Sequence, residues 1–93
     1  MKAPDVWIEF GQYIHQDFQL QFPDSMSGFL DFYNSVPKEK QEQFRCYLKY
    51  LTTANLRNDE LKKIWDLGGP YLYFTRKGEM VQVLSLLYEE ISK

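Results

Sequence analysis

The chain has 93 residues, of which 44% are hydrophobic and 26% are charged, as in one ordinary globular domain covering residues 1–93. The only cysteine is Cys46 and the only histidine is His15, so an intramolecular disulfide, a Cys-based zinc site and a multi-histidine metal site are excluded. We therefore expect a single core that needs neither metal nor cofactor support.

The net charge of −2 is distributed unevenly along the chain. Residues 1–37 hold one lysine against five carboxylates, which gives −4. Residues 38–65 hold seven Lys/Arg against four Asp/Glu, which gives +3, and residues 66–93 give −1. Because aromatic residues make up 17% of the chain, some of them should remain exposed. The acidic, aromatic-rich first third is therefore suited to a basic partner, although single carboxylates are ordinary on solvated helix faces.

No apolar run approaches the length of about 18–20 residues that a membrane span needs. The first residues, Met1–Asp5, lack the apolar core of a signal peptide. We therefore expect a cytoplasmic location and no membrane contact.

The first predicted helix opens at Pro4 or Asp5, since proline suits the first helical turn and aspartate suits an N-cap, and it ends near His15. Residues 16–23 follow as a connector with alternating apolar residues. This alternation favours a short extended segment that lies over the core. The alternating residues are Phe18, Leu20 and Phe22.

Asp24 and Ser25 are the predicted caps of a second helix that runs from Met26 to about Asn34. A third helix opens with Pro37 and runs to about Thr53, and Cys46 is expected to be half-buried on it. Its buried stripe is expected to contain Phe44, Tyr47, Leu48 and Leu51.

Asn58 is the predicted N-cap of a fourth helix, which stops at the Gly68-Gly69-Pro70 sequence with glycine at C′. Residues 71–75 are expected to be extended or irregular, and residues 76–78 turn the chain into the last helix. That helix spans Gly78–Lys93 and is the most apolar stretch of the chain. Its predicted apolar stripe is Met80, Leu84, Leu87 and Ile91, which recur at helical spacing. The pattern predicts an all-α, single-domain bundle of about five helices packed around the C-terminal helix.

The sequence contains no recognisable catalytic constellation, so we do not expect an enzyme. His15 and Asp17 are close enough to hydrogen-bond near a helix end, but no serine occurs in a supporting nucleophile motif. No glycine pattern predicts a phosphate loop, and the Gly68-Gly69-Pro70 sequence is explained as a helix stop. We therefore expect no catalytic, cofactor-binding or metal-binding residue.

The run Phe-Gly-Gln-Tyr-Ile-His-Gln-Asp-Phe at residues 10–18 resembles the signature of the CdiI-type immunity proteins of bacterial contact-dependent growth inhibition systems. Ile14 replaces a second aromatic residue that is usual there, and Phe18 occupies a position where tryptophan is common. The helical layout that follows, with glycines near Gly69 and at Gly78, is also similar. The matching residues are Tyr13, His15, Gln16, Asp17 and Phe18.

The resemblance implies an immunity protein that stays in the cytosol and has no catalytic activity. Such a protein binds the C-terminal domain of its cognate toxin, often a nuclease, and blocks the active site or the substrate-binding surface. We expect a monomer in a 1:1 complex with a basic toxin domain, without direct contact to nucleic acid.

The acidic first third offers residues that can occupy a basic nuclease cleft in place of phosphates. The signature block itself is expected to hold the fold, so Asp17 belongs to both sets. The predicted toxin-binding residues are Glu9, Asp17, Asp24, Asp31 and Tyr33, with Tyr33 as an aromatic anchor.

Two other kinds of function remain open from the residues alone. The chain is either a general interaction or adaptor domain with another protein partner, or a small nucleic-acid-binding regulator that uses the third and fourth helices. The nucleic-acid-binding function is disfavoured because the basic segment at residues 38–63 contains four carboxylates and the sequence pI is about 5.3.

Overall fold

The computed structural model describes residues 1–76 and 78–93, which form a small all-α domain with no strand among them. The predicted fold class is therefore confirmed. A one-turn 3₁₀ helix, Asp66–Gly68, continues the fifth α-helix. The α-helices are α1 (Asp5–Tyr13), α2 (Phe18–Gln21), α3 (Ser25–Ser35), α4 (Lys38–Thr53), α5 (Asn58–Trp65) and α6 (Glu79–Ile91).

The C-terminal helix α6 packs against α4 and α3 through one apolar stripe. Met80, Leu84 and Leu87 are its buried residues, and their helical spacing is the one read from the sequence. Full burial of each such side chain contributes about 1.5–3 kcal/mol, so this stripe is a major part of the hydrophobic stabilisation.

The aromatic centre of the core lies on α1. The ring of Trp7 lies between 5.4 and 6.1 Å from four neighbouring rings, which are those of Phe10, Phe44, Tyr47 and Trp65. The indole Nε1 of Trp7 donates to the carbonyl of Ile64 at 2.9 Å, so the buried indole is satisfied. This ring therefore joins α1, α4 and α5 in one core.

The contact between α1 and the 3₁₀ helix is backbone against backbone. A Cβ atom on Gly68 would lie 2.7 Å from the carbonyl oxygen of Ile8 and 2.8 Å from the Cα of Gly11. Gly69 follows in the left-handed conformation with φ of 67°, which confirms the predicted glycine helix stop. The chain then returns to α1, where the Tyr71 N–H donates to the Ile14 carbonyl at 2.8 Å.

The prediction of an extended connector at residues 16–23 is wrong, because residues 18–21 form α2. Phe18 and Phe22 are four residues apart and both pack inward against Gly28, a spacing that one helical turn satisfies. The first helix ends at Tyr13, close to the predicted end near His15, and its C-cap Ile14 has left the helical conformation with ψ of 68°.

Two other local predictions also differ from the structure. The N-cap of α5 is Arg57 and not Asn58, because the Glu60 carboxylate accepts the Arg57 backbone N–H at 3.1 Å and fixes the helix start there. Cys46 is exposed rather than half-buried, since it faces away from the stripe that contains Phe44 and Leu48. Lys77, in the predicted turn at residues 76–78, lies outside the described residues.

None of the helices in the described part of the chain is long and apolar enough to cross a membrane. The longest, α4, has 16 residues and carries charged side chains along its exposed face.

Candidate functional site

The turn between α1 and α2 is closed by the exposed residue His15. Its imidazole Nδ1 accepts the backbone N–H of Asp17 at 3.1 Å, and its carbonyl accepts the N–H of Phe18 at 2.9 Å. The hydrogen bond expected between His15 and Asp17 is therefore present, with the main chain of Asp17 as donor. Both bonds fix the direction in which α2 leaves α1.

The short helix α2 is held against α3 by two aromatic side chains. A Cβ atom on Gly28 would lie 2.6 Å from Cε1 of Phe18 and 3.0 Å from Cδ2 of Phe22. Phe18 is fully buried and Phe22 is half-buried. A side chain at position 28 would have to displace these rings, so glycine there allows the close approach of α2 to α3.

Tyr13 connects the end of α1 to this contact. Its ring lies 6.2 Å from that of Phe18 and 6.3 Å from that of Phe22, and its hydroxyl donates a hydrogen bond to the Asp31 carboxylate. Burial first, and then the hydrogen bond and negative charge of Asp31, raise the pKa of Tyr13 to about 12. The phenol is therefore a neutral donor that positions the carboxylate of Asp31.

Three exposed carboxylates lie on the elements that form this aromatic contact, and we call them the acidic face: Asp17 at the start of α2, Asp24 at the start of α3, and Asp31, the partner of Tyr13. Asp17 immediately precedes α2, and Asp24 caps α3 by accepting the Met26 N–H at 3.1 Å. Asp31 lies two helical turns after Asp24, so both are on one side of α3. None of the ion pairs formed between described residues includes a member of this face.

Glu9 is one turn before Tyr13 on α1, but its charge is compensated. The Lys40 ammonium contacts both carboxylate oxygens of Glu9 at 2.9 and 2.8 Å. This pair links α1 to α4, and it leaves Glu9 with less charge to offer a partner than the residues of the acidic face.

Tyr33, predicted as an aromatic anchor of the toxin-binding surface, does not lie on the acidic face. It lies two residues after Asp31, which places it about 200° further around the axis of α3. Its half-buried ring packs 6.1 Å from that of Phe44, and its carbonyl accepts the Gln41 side-chain N–H at 2.9 Å. Tyr33 therefore faces α4 and supports the packing of α3 on α4.

Sequence reasoning missed Leu20 as a surface residue. Its side chain is 82% exposed and lies on α2, between Asp17 and Asp24 in the chain. The alternation of residues 18, 20 and 22 suggested an extended segment. The alternative signal was the spacing of Phe18 and Phe22, which fits one turn of helix with Leu20 on the outside.

A second exposed apolar surface follows the 3₁₀ helix, and we call residues 70–75 the tyrosine segment. Tyr71 and Tyr73 are 58% and 70% exposed, whereas Leu72 and Phe74, which each follow one of these tyrosines, are half-buried. The Leu72 carbonyl accepts the indole N–H of Trp65 at 2.7 Å, which fixes this segment to α5. This alternation of exposed and half-buried residues is typical of an extended chain, and the sequence predicted an extended or irregular segment at residues 71–75.

The described residues contain no group of three His, Cys, Asp or Glu side chains that could hold a metal ion. Two clefts border Asn58 at the start of α5, with volumes of about 240 and 280 Å³. Both are smaller than the range of about 300–1,000 Å³ that is usual for small-molecule sites. A third depression, of about 380 Å³, lies open on α6 and has no charged residue in its lining of Val81, Gln82, Ser85 and Leu86. The surface features of greatest interest are therefore the acidic face and the tyrosine segment.

No family model, curated protein or solved structure matches this chain. The resemblance of residues 10–18 to the immunity-protein signature consequently stays a prediction. The geometry adds one physical observation to it, because His15, Asp17 and Phe18 of that signature form the turn that orients α2.

Proposed function

We propose that this chain is an immunity protein of the contact-dependent growth inhibition type, which binds a basic toxin domain and neutralises it without catalysis or a cofactor. The observation that carries the proposal is the acidic face, formed by Asp17, Asp24 and Asp31 on the elements that form the aromatic contact between α2 and α3. The partner we expect is a nuclease domain, since such a domain presents a basic cleft for nucleic acid.

The physical basis of the inhibition is competition for that cleft. Carboxylates without a cation partner among the described residues retain their charge for a basic surface, where they take the positions of phosphates. A surface whose charges are all negative also speeds the encounter with a basic partner at low salt. The overall charge of −2 is small, so the local arrangement matters more than the net charge.

A second function is favoured by one other observation. The exposed Tyr71 and Tyr73 are residues of a type that is enriched in protein interfaces, and they lie away from the acidic residues in the chain. An adaptor domain that uses the tyrosine segment would bind its partner independently of Asp17, Asp24 and Asp31.

The test is co-expression of this chain with the C-terminal domain encoded immediately upstream, followed by co-purification and a growth assay. We expect a stable 1:1 complex and growth that depends on this chain. The matched variant Asp17→Asn/Asp24→Asn/Asp31→Asn should rescue growth less well, because asparagine keeps the capping acceptors and removes only the charge. A non-toxic upstream domain, or toxicity that this chain leaves unchanged, contradicts the proposal.

A further inference from the structure

We propose that Leu20 is the apolar anchor of the acidic face, and that the toxin domain receives it in an apolar recess within its basic surface. This inference rests on the proposed function and specifies which chemistry the partner must offer. Leu20 is the most exposed large hydrophobic side chain among the described residues, at 82%. Its position, more than its exposure alone, carries the argument, since single exposed leucines are common on protein surfaces.

Helix α2 holds Leu20 in place before any partner binds. The N–H groups of Leu20 and Gln21 both donate to the Asp17 carbonyl at 3.1 Å, and the Phe22 N–H donates to the Phe18 carbonyl at 2.8 Å. Phe18 and Phe22 on the inner side pack on Gly28. Because the turn is already formed, binding has little backbone entropy left to remove at this position.

The negative charge around Leu20 determines which kind of partner can bind there. Asp17 begins the helical turn that carries Leu20, and Asp24 follows at the start of α3. A second copy of this chain would bring like charges together around the two leucines, and an anionic lipid surface would be repelled in the same way. A basic protein surface with a recess that fits a leucine side chain matches both the charge and the apolar centre.

The two kinds of residue should act on different rate constants. Carboxylates act over a distance, so they change the association rate and its salt dependence. A leucine side chain acts only after it has lost its water, so its removal should act on the dissociation rate. This separation distinguishes an anchor from another member of a charged surface.

The experiment measures association and dissociation rates of purified Leu20→Ala with the upstream toxin domain. We expect dissociation to be faster by about tenfold to a hundredfold, from the loss of one buried leucine side chain, with association nearly unchanged. Leu20→Met should bind almost as the wild-type chain does, since it keeps the apolar volume. Leu86→Ala on α6, where the leucine is 54% exposed, is the matched control and should change neither rate.

Three results would overturn the inference. If the wild-type chain binds normally and Leu20→Ala dissociates at the same rate, Leu20 is not an anchor, and the proposed function is unaffected. Absence of wild-type binding removes both. Concentration-dependent dimers that Leu20→Ala abolishes, without an effect on toxin binding, would assign the residue to contacts between copies. Because Leu20 makes little contact with the core, the thermal unfolding of Leu20→Ala should match the wild type and show that each result concerns binding.

Discussion

Helix α2 and the tyrosine segment both lie next to the end of α1 and both expose apolar side chains, but they are held in different ways. The α2 turn rests on Gly28 through the rings of Phe18 and Phe22. The tyrosine segment follows a contact between the main chains of Gly11 and Gly68. It is fixed by one main-chain hydrogen bond, from Tyr71 to Ile14, and by the indole N–H of Trp65, which donates to the Leu72 carbonyl. Side-chain ends can shift by small amounts, whereas two packed backbones cannot. The comparison predicts a tolerant attachment for α2 and an intolerant one for the tyrosine segment.

The two segments also differ in charge. Leu20, the exposed apolar residue of α2, lies between Asp17 and Asp24 in the chain. Neither aspartate is in an ion pair with another described residue. The tyrosine segment from Pro70 to Thr75 contains no charged residue. Exposed apolar area is thus present at both places, but only α2 carries charge that would complement the basic partner we propose.

The largest effect is expected for Gly68→Ala. The new Cβ would lie 2.7 and 2.8 Å from backbone atoms of Ile8 and Gly11, so α1 and the 3₁₀ helix must separate. We expect a loss of about 3 kcal/mol in unfolding free energy and a melting temperature lower by about 10–20 °C. Thermal unfolding measures both. Gly69→Ala is the control, since its Cβ has open space and only the left-handed φ of 67° costs about 1 kcal/mol. Equal losses in the two variants would contradict the backbone contact.

A smaller loss is expected for Gly28→Ala. The added Cβ meets ring atoms of Phe18 and Phe22, which costs about 1–3 kcal/mol, while alanine in a helix recovers about 1 kcal/mol over glycine. We expect a net loss of about 1 kcal/mol with a displaced α2. Amide hydrogen exchange should accelerate more at Phe22, whose N–H donates within α2, than at Leu84 on α6, where only the loss of global stability acts. Equal acceleration at both amides would indicate general destabilisation instead.

A still smaller effect is expected for Tyr13→Phe, at less than about 1 kcal/mol near neutral pH, because the hydrogen bond to Asp31 is exposed. The raised pKa of Tyr13 has a defined consequence. The stability from the neutral phenol is complete below pH 10.0 and falls as pH rises through about 12. Burial also raises the pKa of Tyr47, so Tyr13→Phe should reduce this alkaline loss without abolishing it. Unfolding free energies measured against pH test this account, and an alkaline loss of stability as large in Tyr13→Phe as in the wild type would contradict it.

The smallest effect is expected for Tyr71→Ser/Tyr73→Ser. Both side chains are more than half exposed, so stability should change by less than about 0.5 kcal/mol for each substitution. Binding to the upstream toxin domain should also be unchanged, because this surface is not part of the acidic face. A marked loss of binding in a surface-plasmon measurement would move the interface to the tyrosine segment and favour the adaptor function.

The sequence predicted the long helices because their periodicity is strong. The stripe of Met80, Leu84 and Leu87 on α6 is buried as its spacing indicated, and Asp24 caps α3 as predicted. The α2 turn was missed because its alternating apolar residues fit a strand and a single helical turn equally well over so few residues. Only the tertiary contact of Phe18 with Gly28 distinguishes the two.

The acidic surface was predicted in part. The sequence indicates which residues carry negative charge, but pairing across helices depends on the fold. The ion pair between Glu9 and Lys40 joins residues far apart in the chain, and local patterns do not contain it. The inward position of Tyr33 likewise follows from where α4 packs on α3. The placement of Asp17, Asp24 and Asp31 on the elements that form one aromatic contact became visible only in three dimensions.

The most direct test of the acidic face is the association rate of the upstream toxin domain as a function of ionic strength. The wild-type chain should be compared with Asp17→Asn/Asp24→Asn/Asp31→Asn. A control variant, Glu39→Gln/Glu89→Gln/Glu90→Gln, removes the same net charge from α4 and α6. We predict slower, salt-insensitive association only for the aspartate variant, with all three rates converging at high salt. Equal slowing by the aspartate variant and the control would show that overall charge, and not this face, guides the encounter.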